Sequence, residues 1–145
     1  MKLLRFPALV FVVLMLSGSV WSCKKDAGEG GTSTISGKVL VYKYDIAYLQ
    51  PEDTFSGVGE NVYIIYGGNK STYDNKYSTT YDGTFEFKYL QKGDYKLFAY
   101  MDDTTGAYNG TLDLSKPKIP VFVDVHIGDN GTTVTSPVIH ILKNH

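Results

Sequence analysis

The sequence predicts an all-β chain, a seven-stranded antiparallel Greek-key β-sandwich, and three observations predict it. Apolar and polar residues alternate with period two in several separate runs, the mark of strands with one buried face. Between those runs stand turn sequences such as Asp82-Gly83, Gly67-Gly68 and Gly128-Asp129-Asn130-Gly131, where positive φ costs little. The 145 residues include twelve Tyr, seven Phe and one Trp, types that favour strands, and no run keeps a 3.6-residue apolar stripe. That length suits about one domain, and 43% hydrophobic residues can fill its core.

Residues 1–22 have the layout of a signal peptide. Lys2 and Arg5 precede an apolar run over residues 6–16, and Ser17-Gly18-Ser19 brings small residues ahead of Cys23. The apolar run is too short to span a bilayer, which takes roughly 20 residues as a helix. Val20-Trp21-Ser22-Cys23 then resembles the lipobox of bacterial lipoproteins. That resemblance implies a diacylated Cys23 as the first mature residue, usually with a third chain on its amine, and two or more chains anchor stably. It implies an outer membrane lipoprotein, facing either the periplasm or the cell surface, with the membrane as a partner. Residues 23–33 read as the lipidated Cys and a flexible, Gly-rich tether; its last ten residues reach on the order of 18 Å as a random coil.

Residues 34–145 form the expected sandwich domain. The first strand is residues 34–44, with Ile35, Gly37, Val39 and Val41 on one face. Residues 45–59 contain Pro51 and three acids without a clean period and read as a long loop. Residues 60–66 are the second strand, and 77–81 a short third. Residues 84–89 and 95–101 read as a β-hairpin, with Phe85, Phe87 and Tyr89 on one face of its first arm and Tyr95, Leu97, Ala99 and Met101 on one face of its second. A second long polar loop covers 102–116. Residues 118–127 give the cleanest alternation, with Val121, Val123 and Val125 inward and Phe122, Asp124 and His126 outward. Residues 132–142 complete the set, at an edge or with a bulge, since Pro137 cannot donate to a ladder. Phe85, Phe87, Leu97, Val121, Val123 and Val125 should form the inter-sheet core. Tyr95, after Gln91-Lys92-Gly93-Asp94, is either plain core or a tyrosine corner whose phenol bonds back to the main chain.

Four stretches, Ile35-Ser36-Gly37-Lys38-Val39, Gly57-Val58-Gly59-Glu60-Asn61-Val62-Tyr63-Ile64, Thr79-Thr80-Tyr81-Asp82-Gly83-Thr84-Phe85 and Leu90-Gln91-Lys92-Gly93-Asp94-Tyr95-Lys96-Leu97, resemble the carboxypeptidase regulatory-like, or prealbumin-like, β-sandwich. The pattern consists of turn and core positions, so the resemblance implies a fold and an accessory, binding or spacer role, with no particular activity.

Composition removes several function classes. Without residues 1–22 the chain keeps twelve lysines and no arginine against fifteen acids, a net charge of −3. Arginine is the usual reader of phosphates and guanine edges, so nucleic acid is not an expected partner. His126, His140 and His145 have no companion at ligand or triad spacing, and no nucleophile-elbow, phosphate-loop or paired-Cys motif occurs after residue 22. No catalytic residue, metal site or cofactor is expected, and the chain is read as a non-enzyme. Hydroxyisourate hydrolases of related fold need an Arg and end in Tyr-Arg-Gly-Ser, whereas this chain ends Leu142-Lys143-Asn144-His145. Pilin-like domains with Lys-to-Asn crosslinks need a Glu where this chain has Ala99. The expected function is a lipid-anchored binding or assembly module for glycan, peptide or another envelope protein, the alternative being a structural spacer. Candidate contact residues are Tyr48, Phe55, Asp103, Tyr108, Asn109 and Asp113, because the long loops mix aromatic rings with short polar groups and long loops often carry function.

Overall fold

A computed structural model describes residues 26–44, 50–68, 70–105, 111, 113 and 115–144. Within them the chain is all-β, with nine strands in two sheets that face each other as an open sandwich. β1 (Glu29–Tyr44) is the axis of the first sheet. One flank carries β5 (Thr84–Leu90) and then β2 (Pro51–Ser56), both antiparallel to β1; the other carries β8 (Thr133–Thr135) and then β9 (Ile139–Asn144), both parallel to it. The second sheet is antiparallel throughout, in the order β4 (Asn75–Ser78), β3 (Asn61–Tyr66), β6 (Gly93–Met101), β7 (Ile119–Ile127).

The core lies between the sheets. Ile35, Val39 and Val41 of β1, Phe85, Phe87 and Leu90 of β5, and Ile139 and Ile141 of β9 meet Val62 and Ile64 of β3, Tyr95, Leu97 and Ala99 of β6, and Val125 and Ile127 of β7. Each large side chain so buried contributes about 1.5–3 kcal/mol. The expected inward face is correct for Phe85, Phe87, Leu97 and Val125. Val121 and Val123 are only partly buried against the same cluster, because β7 is an edge strand with a neighbour on one flank.

Several expectations are corrected. Nine strands replace seven, and the arrangement is not wholly antiparallel. The segments expected to pair as a hairpin do not pair: β5 bonds to β1 in one sheet and β6 to β3 and β7 in the other, so Gln91-Lys92 arches between sheets. Tyr89, expected inward, has φ 60 and is 72% exposed. That single left-handed residue breaks the pleat and turns Leu90 into the core, with the pairing slipping between Ile35↔Phe87 and Ser33↔Leu90. The last expected strand divides at Ser136-Pro137-Val138 into β8 and β9, as the missing N–H of proline requires.

Two more corrections concern the ends of β1. Residues 29–33, assigned above to the tether, belong to β1; Ser33 is fully buried and its hydroxyl donates to the Asp129 carbonyl at 3.1 Å. Their Gly-rich polarity hides the strand because β1 and β5 approach closely there: a Cβ on Gly31 would lie 1.9 Å from the Leu90 carbonyl oxygen. Residues 51–56, expected in a loop, form β2. It descends beside β1, and the chain passes through Gly57-Val58-Gly59-Glu60 into β3 in the other sheet.

Tyr95 is a tyrosine corner as well as core. Its hydroxyl donates to the Gln91 carbonyl at 2.6 Å and accepts from the Gly28 N–H at 3.1 Å, while Gln91 N–H donates to the Gly28 carbonyl at 2.9 Å. The start of β1 is thereby fastened to the β5–β6 arch. At the opposite end Tyr44 pairs with Asn144, whose N–H donates to Asp102 Oδ2 at 3.0 Å. The end of β1 at Tyr44 and the end of β6 at Met101 therefore lie at one end of the sandwich, away from the entry of β1.

Candidate functional site

The outer face of the β4-β3-β6-β7 sheet carries the most distinctive surface among the described residues. Alternation on β3, β6 and β7 turns Tyr63, Phe98 and Phe122 outward, and the register sets them directly opposite one another as a cross-strand row. Tyr63 stacks on Phe98 with centroids 4.9 Å apart and planes 15° apart. Phe98 meets Phe122 at 5.2 Å, and Tyr100, two residues along β6, meets both Tyr63 and Phe98 edge-on at 5.5 Å. Tyr73, from the β3–β4 connection, covers Tyr63 at 4.7 Å.

Packing of this kind contributes about 0.5–1.5 kcal/mol per pair beyond area burial. It hides Phe98, which is 6% exposed, but leaves Tyr73 and Phe122 each 50% and Tyr100 40% exposed. The Tyr63 phenol has its pKa raised, first by burial and then by the neighbouring Tyr73 and Tyr100, so it stays a neutral donor and acceptor at ordinary pH.

Polar rows continue the face along the strands. Lys96 pairs across the ladder with Asp124, their charged groups 3.3 Å apart, and Lys96 Nζ also sits 5.6 Å from the Phe122 ring centre. In the next row Asp94 Oδ1 lies 2.6 Å from His126 Nδ1, both side chains exposed. Gly67 and Gly68 join these four polar residues around an open cleft of about 430 Å³. The arrangement offers ring edges and faces next to carboxylates, an ammonium and an imidazole, which suits recognition by packing and hydrogen bonding. Among the described residues no group of three His, Cys, Asp or Glu could hold a metal ion, and no helix is long and apolar enough to cross a membrane.

The residues singled out from sequence fare differently. Cys23, Tyr48, Tyr108 and Asn109 lie outside the described residues. Phe55 is on β2 opposite Val41 and is 40% exposed. Asp103 accepts from Thr105 N–H at 2.9 Å, and Asp113 accepts from the Ser115 N–H and hydroxyl at 2.9 and 2.6 Å. Those bonds lower both carboxyl pKa values, the side-chain hydroxyls of Thr105 and Ser115 being the larger cause, and they shape local turns. The aromatic face was missed, although its signal was present: Phe98, Tyr100 and Phe122 all occupy the outward parity of their strands, where a solvated sheet face is usually polar.

No family model and no curated protein matches the sequence. Among solved structures, a proposed carbohydrate binding protein from Pseudomonas aeruginosa is similar with a TM-score of 0.45 at 11% identity, over 81% of this chain and 92% of that one. An (S)-allantoin synthase is similar with a TM-score of 0.33 at 13% identity, over 80% of this chain and 42% of that one. Likenesses this distant say nothing of function.

Proposed function

We propose that the chain is a non-catalytic, lipid-anchored module of the bacterial cell envelope that binds saccharide on the outer face of its second sheet. One observation carries the reading: an aromatic cluster with three half-exposed rings stands on a sheet face beside charged and polar side chains. Apolar surface gathered in one patch on a solvated sheet face marks an interaction site. A sugar ring presents C–H groups on its faces and hydroxyls around its rim, so Tyr73, Tyr100 and Phe122 would pack against the first, and Lys96, Asp124, Asp94 and His126 would bond the second. Cys23 supplies the anchor in this reading, and the short remaining link to Glu29 holds the domain near the outer membrane.

Two measurements test it. Cys23→Ala should move the protein from the membrane to the soluble fraction; retention after a high-salt wash removes the anchor. Calorimetric titration with a panel of soluble oligosaccharides should find a ligand whose affinity falls about tenfold or more in a Tyr100→Ala, Phe122→Ala double variant, the loss expected for two contact aromatics. A ligand that binds that variant normally but loses affinity in a Tyr48→Ala, Tyr108→Ala variant would move the site to the long connections and refute the sheet-face reading.

A further inference from the structure

β5 stands at the edge of the first sheet. Among the described residues β5 bonds only to β1, which leaves its other flank open. The ladder shows which residues present their backbone there. Val39 N–H donates to the Gly83 carbonyl at 2.9 Å, and Gly37↔Phe85 and Ile35↔Phe87 continue that alternation, so Phe85 and Phe87 turn their N–H and C=O groups towards β1. Glu86 and Lys88 turn theirs outward. At Thr84 the outward groups are already taken, since Thr80 N–H donates to its carbonyl at 2.9 Å and its own N–H to Thr80 Oγ1 at 3.2 Å. The unpaired stretch is therefore short and has Glu86 and Lys88 as its two open positions.

We infer that this edge joins antiparallel to the β5 edge of a second copy of the chain, about a two-fold axis through Phe87. An axis there sets Glu86 opposite Lys88 of the second copy and Lys88 opposite its Glu86. Both are hydrogen-bonded positions, so each pair exchanges two backbone hydrogen bonds and sets a carboxylate beside an ammonium. In the single chain Glu86 and Lys88 lie 2.9 Å apart on the same strand face, both well exposed, so the charges need only change partners. The same axis brings Phe87 beside its counterpart on the inner face and Tyr89 opposite Phe85 of the second copy.

Unfilled space along the edge agrees with an added strand. A cleft of about 440 Å³ runs past Tyr77, Glu86, Lys88 and Tyr89. A partner with an arbitrary sequence would lack this reciprocal charge match, and like charges set opposite one another would repel it.

The test is sedimentation velocity of the full chain in detergent across a concentration series. Wild type should show a monomer–dimer equilibrium. Glu86→Lys or Lys88→Glu alone sets like charges opposite one another and should raise the midpoint concentration about tenfold or more. The double exchange Glu86→Lys, Lys88→Glu restores every opposite pair and should return the midpoint to near the wild-type value, which also shows that the single variants had not simply misfolded. A wild-type chain that stays monomeric, single variants that dimerise like wild type, or a double variant no better than the singles would each overturn the inference.

Discussion

Tyr95→Phe isolates the contribution of the tyrosine corner, because the ring stays and only the hydroxyl goes. The residue is 1% exposed, and its ring also meets Tyr66 edge-on at 5.8 Å, a contact that phenylalanine preserves. What is lost is the donor to the Gln91 carbonyl and the acceptor for the Gly28 N–H. Leaving a buried polar group unpaired costs about 1–3 kcal/mol; both groups are partly buried, so about 1 kcal/mol each, or about 2 in total, is expected. For a domain of this size that corresponds to a fall in Tm of roughly 8 °C. Urea unfolding followed by tryptophan-independent far-UV dichroism should show a lower midpoint with an unchanged slope, since the surface exposed on unfolding is the same. Burial raises the Tyr95 pKa, and its backbone hydrogen bonds only partly offset that rise. A phenol whose folded pKa exceeds its unfolded value contributes stability that is complete below pH 10 and is lost as pH climbs towards the folded pKa. The variant should therefore show a shallower alkaline decline than wild type, with Tyr63 and Tyr66, also raised by burial, supplying what remains. A variant within about 0.5 kcal/mol of wild type would refute the corner as a fastening of β1, because ordinary surface changes fall in that range.

The left-handed residue in β5 gives a second prediction: Leu90→Ala should cost about 2–5 kcal/mol as a core truncation, whereas Tyr89→Gly should be neutral or stabilising by up to about 1 kcal/mol. Denaturant midpoints at a protein concentration too low for association would check it, and the reverse order would restore the unbroken alternation read from sequence. A third concerns the turn before β5, where Asp82 Oδ1 accepts from the Thr80 hydroxyl at 2.5 Å and the Thr84 hydroxyl at 2.8 Å. These bonds lower its pKa from 3.8 to about 2, so its contribution is present above pH 3.8 and fades as pH falls towards 2. Asp82→Asn should flatten that part of the stability–pH curve between pH 2 and 5, and an unchanged acid limb would count against the turn.

Period two, read along one chain, determined the strand class and the inward parity of Phe85, Phe87, Leu97 and Val125, because a residue on a pleated strand can face only one of two sides. The run Gly93-Asp94-Tyr95 after Leu90 was also enough to raise the tyrosine corner, which is a local geometry. The outward parity of Phe98, Tyr100 and Phe122 was equally legible, but their meeting with Tyr63 and Tyr73 was not, since it depends on the order β3-β6-β7. Tertiary structure alone decided which strands became neighbours: β1 with four partners, β8 and β9 parallel to it, and β5 and β6 in different sheets. It also decided the reversal at Tyr89 and the strand within the Gly-rich residues 29–33. The physical reason is shared by all of these. Side-chain alternation reports which face is buried, whereas pairing uses backbone N–H and C=O groups that are the same at nearly every residue, so the choice of partner is left to long-range packing.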